Sequence, residues 1–68
     1  MKTNEHMKLE RVRRGLSVEK LSQASGVSTS CIDGIEAGKH SPTLFNLILI
    51  CKALGTTVDG YVGVDYDN

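Results

Sequence analysis

Apolar residues in this chain come in short, spaced sets, and most sets end at a glycine. The first set, Met7, Leu9 and Val12 among charged neighbours, predicts a helix over about residues 4–14. It stops at Gly15, a residue suited to a helix C-terminus. Ser17 then stands where an N-cap hydroxyl accepts from an otherwise unpaired backbone N–H. Val18, Leu21 and Ala24 recur at i, i+3 and i+6, one face of a short second helix. After the break Ser25-Gly26-Val27, Ser28 caps a third helix, with Ile32 and Ile35 as its buried pair and Gly38 at its end. Gly34 inside that helix costs roughly 1 kcal/mol relative to alanine, and it predicts a bare surface at that point. Beyond the loop Lys39-His40-Ser41-Pro42, Thr43 caps a fourth helix that runs to Leu54 and stops at Gly55. Leu44, Leu47, Ile50, Cys51 and Leu54 form its core-facing stripe. Thr57 opens a short fifth turn reaching about Val62. Five short helices with brief connections predict a compact all-α domain.

Sixty-eight residues make one small domain over 1–68, with its core in about 5–62. A chain of this size buries only about 60% of the surface its unfolded form exposes, so an added source of stability is expected. Two cysteines, Cys31 and Cys51, with no Cys-x-x-Cys pair and no clustered histidines, predict neither a metal site nor a disulfide framework. Oligomerisation is the remaining route. The polar start Met1-Lys2-Thr3-Asn4-Glu5-His6 lacks the apolar region of a signal peptide. The longest apolar run, 47–51, is far short of a membrane span. A soluble, cytoplasmic setting is expected. Net charge is zero, but residues 1–52 carry eight basic against five acidic side chains, a balance of +3, and residues 53–68 carry −3. Such a lopsided field is compatible with one face meeting phosphate.

The informative stretch is residues 17–37, where a short helix, a tight turn at Gly26 and a second short helix make the geometry of a helix-turn-helix unit. Ala24, Val27, Ile32 and Ile35 are expected to lock the two helices at a fixed angle. The ordered set Arg11, Gly15-Leu16-Ser17, Leu21, Ala24, Gly26-Val27-Ser28, Ile32, Ile35-Glu36, Gly38-Lys39, Pro42, Leu44, Leu47 and Ala53-Leu54-Gly55 resembles the Cro/C1-type helix-turn-helix family of phage repressors and bacterial regulators. The resemblance covers about residues 5–62 and implies a five-helix, lambda-repressor-like domain that binds double-stranded DNA as a transcriptional regulator. It places the recognition helix at about 28–37, with Ser28, Thr29, Ser30, Asp33 and Gly34 reaching bases or flanking phosphates. Ser17 and Val18 fall where the second helix starts against a phosphate, and Lys39 and His40 in a loop along the sugar–phosphate chain. Arg11 and Glu36 match a structural salt bridge of many relatives. The implied partner is an inverted-repeat operator bound by a homodimer, without cofactor, small-molecule ligand or membrane.

Two departures qualify that picture. Val18 replaces a polar residue, so only backbone N–H groups there can donate to phosphate. The recognition helix offers Thr29, Ser30 and Asp33, with no Arg, Gln or Asn for a bidentate base contact. These features and the zero net charge favour an alternative, a protein-interaction module or antitoxin-like partner that keeps the fold. An enzyme is not indicated, since no nucleophile–base pair, phosphate-cradling loop or paired carboxylates can be assembled. Cys31 is expected to be half-buried and Cys51 to lie in the core. Arg13 and Arg14 suit either DNA or the negative end of the first helix. Phe45 and Leu49 form a second apolar ridge on the fourth helix, open either to the chain's own C-terminal segment or to a dimer partner. Val62, Val64 and Tyr66 alternate with Gly63 and Asp65, the period of a short extended segment that pairs across the dimer.

Overall fold

A computed structural model of the chain describes the backbone of residues 3–56. It comprises four helices: α1 (Thr3–Arg13), α2 (Val18–Ser25), α3 (Thr29–Glu36) and α4 (Leu44–Leu54). No strand occurs among the described residues. The expected fifth turn, and the alternating Val62, Val64 and Tyr66, lie outside them.

The three hydroxyl caps act as their positions predict. Ser17, Ser28 and Thr43 each hold extended backbone angles and accept from the N–H three residues on, at 3.1, 3.2 and 3.1 Å. Each such cap contributes about 1 kcal/mol. The far end of α3 closes on a paired motif, in which Gly38 donates to the Ile35 carbonyl at 3.0 Å and Lys39 to the Gly34 carbonyl at 2.9 Å. That geometry requires Gly38 at φ +76°, a left-handed conformation costly for any residue with a Cβ. The α3 end therefore turns sharply into the 39–42 loop.

α2 packs on both α3 and α4, and α1 packs on α3. The buried core joins Met7 of α1, Leu21 of α2, Val27 of the turn, Ile32 and Ile35 of α3, and Leu47, Ile50, Cys51 and Leu54 of α4. Two expected core positions differ. Ala24 is exposed, and Ser25 is buried in its stead. At about 100° per residue, Val18 and Ser25 both fall within roughly 60° on one side of Leu21, and Ala24 falls on the other. Burying Ser25 leaves no orphan polar group, because its hydroxyl accepts the Val27 N–H at 3.1 Å. Leu44 is 65% exposed although it continues the α4 stripe. It is the first residue of the helix, and no described element reaches over it. In α1 only Met7 reaches the core; Leu9 and Val12 rotate away from it and are exposed.

Candidate nucleic-acid interface

The side chain that organises the site is Arg11. Its guanidinium donates to both carboxylate oxygens of Glu36, at 2.8 and 3.0 Å, and a third N–H donates to the Leu16 carbonyl at 2.7 Å. One planar group thus ties α1, the α1–α2 turn and the end of α3 together, which the fork geometry of arginine allows and a lysine would not. Both side chains are largely covered, 12% exposed for Arg11 and 8% for Glu36. The bond to Glu36 raises the Arg11 pKa further above its already high value.

This brace holds α3 with its N-terminal, polar side outward. Thr29, Ser30 and Asp33 are all exposed, and Ser28 is exposed at the cap. An open cleft of about 580 Å³ runs between α1, the start of α2, α3 and the following loop. It brings together Val18, Ser30, Asp33, Gly34, Lys39 and His40, with the Arg11–Glu36 pair at its floor. Ser17, Ser28 and Thr29 do not line it. Ser17 and Ser28 are engaged in capping their own helices. Val18 is half-buried and packed against the core, so its side chain is apolar filling at the cleft edge.

Two placements differ from what the sequence leads one to expect. Gly34 is not bare surface but buried, because the His40 imidazole lies over it; a Cβ built on Gly34 would come 2.5 Å from His40 Nε2. Lys8 was not singled out by sequence reasoning, yet its exposed side chain borders the cleft beside Lys39. The signal was available, since Lys8 precedes Arg11 by three residues and so shares its helix face. Arg13 and Arg14 do not line the cleft; both pair with Glu10, at 3.0 and 2.5 Å. The Arg14 bond holds the Glu10 carboxyl below its ordinary pKa.

Cys31 is half-buried, with the Asn46 side-chain amide 3.6 Å from its sulfur, and Cys51 lies in the core, where burial raises its pKa. On α4, Phe45 is 69% exposed, but Leu49 is half-buried against the core. The exposed apolar ridge is therefore Leu44, Phe45 and Ile48. Val62, Val64 and Tyr66 lie outside the described residues. No described helix is long and apolar enough to cross a membrane.

The sequence that forms α2, the Gly26 turn and α3 has counterparts in known proteins. A sequence profile for the Helix-turn-helix family matches residues 7–61. The chain is also 33% identical over 58 residues, 85% of its length and 88% of the relative's, to an uncharacterized HTH-type transcriptional regulator, YgzD, of Bacillus subtilis (strain 168). With the profile match covering most of α1 and all of α2, α3 and α4, this chain belongs to the helix-turn-helix family.

Proposed function

We propose that this chain is a sequence-specific double-stranded DNA-binding protein, a small transcriptional repressor that lays its 28–37 segment in the major groove and works as a homodimer on an inverted-repeat operator. The observation that carries the reading is the exposed polar face of α3, Thr29, Ser30 and Asp33, held by the Arg11–Glu36 brace and flanked by Lys8 and Lys39. Groups that read base edges need a fixed angle to the duplex, and flanking cations supply phosphate attraction without sequence preference. The relative described as a transcriptional regulator supports the same reading. The match over residues 7–61 supports one domain across 1–68. The ridge of Leu44, Phe45 and Ile48 supports a second copy as the cover for exposed apolar surface.

Selection from random duplexes tests this directly. The enriched sequences should contain two inverted half-sites about one helical turn apart, and binding should weaken steeply with salt. Lys39→Ala should weaken binding to all duplexes alike and shallow the salt slope, with base preference unchanged. Recovery of no motif would sink the specific-regulator reading.

A second reading is favoured by Asp33. An acid in the middle of the exposed α3 face repels phosphate, and Val18 offers no side-chain donor. Both suit a protein partner that retains the fold, such as an antitoxin-like module. In that case duplex binding would be weak and without sequence preference, and Lys39→Ala would leave partner capture intact.

A further inference from the structure

We propose that the His40 imidazole acts as the reading side chain of position 34, presented to a base edge from the loop rather than from the recognition helix. The inference rests on the DNA-binding reading above and deepens it. α3 carries glycine on the turn of the helix shared with Ser30 and Asp33, where a bare backbone would leave a gap in the exposed polar face. The gap is filled. A Cβ at residue 34 would lie 2.5 Å from His40 Nε2 and 2.8 Å from its Cδ2, so the ring occupies the space a side chain would take. It fills that space while the residue as a whole stays exposed, and its Nδ1 is turned toward the Ser41 carbonyl at 3.4 Å.

The loop is registered to the helix by backbone as well. Lys39 donates to the Gly34 carbonyl at 2.9 Å. His40 is therefore held over one residue of α3, beside Ser30 and Asp33 in the same cleft. With Nε2 on Gly34 and Nδ1 toward the Ser41 carbonyl, a half-turn of the ring about Cβ–Cγ fills the same space and exchanges nitrogen with carbon positions, which turns Nε2 outward to donate or accept at a major-groove base edge. Thr29 and Ser30 bring hydroxyls and Asp33 brings acceptors only. Gly34 and His40 then form one unit, since any side chain at 34 would expel the ring.

Base selection with the full chain and three variants tests this. His40→Ala should lose preference at one base pair per half-site and keep it elsewhere. Gly34→Ala should lose preference at the same base pair, because the displaced ring is the flexible partner and the helix gains a better helix former. The double variant Gly34→Ala/His40→Ala should resemble either single variant in preference and should melt no lower than His40→Ala. Equal weakening on all sequences by His40→Ala would overturn the inference, because it would make His40 a phosphate group. So would a Gly34→Ala protein with the unmodified preference. Absence of any motif for the unmodified chain would instead remove the DNA-binding reading itself, and this inference with it.

Discussion

At the scale of single residues, the Arg11–Glu36 pair has the largest expected consequence. Glu36→Ala leaves a mostly covered guanidinium with only the Leu16 carbonyl as partner. Breaking a buried pair costs roughly 3–5 kcal/mol when one charge is left uncompensated, and about 3 kcal/mol is expected for this partly covered one. Urea denaturation of the variant measures it, and an unchanged midpoint would show that the brace adds nothing to stability. The cysteines divide by burial. Cys51 is 2% exposed and its thiol is pushed up in pKa by burial, whereas Cys31 is half-buried on α3. Alkylation of the native protein should modify Cys31 and spare Cys51, with both reacting once the chain is unfolded. A raised thiol pKa means that the neutral form is favoured by folding. The Cys51 contribution is thus complete below the ordinary thiol value of 9.0 and is lost as pH rises past it. A Cys51→Ser control with the same alkaline profile would assign that loss to other groups.

At the scale of elements, the chain relies on local end signals because its helices are only 8 to 11 residues long. Isolated helices of that length are marginal in water, so caps and turns define where each begins and stops. Gly38 is the most exacting of these. It ends α3, holds φ +76°, and delivers Lys39 and His40 to the cleft. Gly38→Ala should cost roughly 1–2 kcal/mol, the penalty for a Cβ in the left-handed region. It should also weaken duplex binding beyond that of a control such as Gly55→Ala, which carries the same left-handed penalty at the end of α4, φ +71°, and does not line the cleft. Equal binding by the two variants would separate the loop from the interface.

At the scale of the whole molecule, α4 carries an exposed apolar ridge. Leu44 and Phe45 are 65% and 69% exposed and adjoin Ile48, a concentration of apolar surface that a small domain gains from covering. Phe45→Glu should shift sedimentation from dimer toward monomer with little change in helix content. A monomeric unmodified chain would defeat the dimer, and a dimeric Phe45→Glu protein would move the interface elsewhere.

How much was legible in the sequence follows from the range of the forces involved. The three hydroxyl caps, the glycine stops, the pair Ile32 and Ile35, and the Arg11–Glu36 bridge could be anticipated. Caps and stops depend on neighbours within a turn, the isoleucine spacing is local, and the bridge came from a resemblance spread over the chain. Ala24 and Leu44 were placed in the core by periodicity alone, and both are exposed. Periodicity gives a face but not its centre or its extent, which depend on where the neighbouring helix lies and how far it reaches. Lys8 joins the cleft for the same reason: its neighbours there, Lys39 and His40, are some thirty residues away in the chain. Gly34 shows the limit most clearly. From sequence it is a costly gap in a helix. Only the tertiary structure, by folding the loop back through Gly38, lays His40 on it and turns the gap into a fitted contact. What the sequence determined by itself was the elements and their ends, because those energies are local. Which residues share a surface was decided by tertiary structure, because that depends on how helices distant in the chain are set against one another.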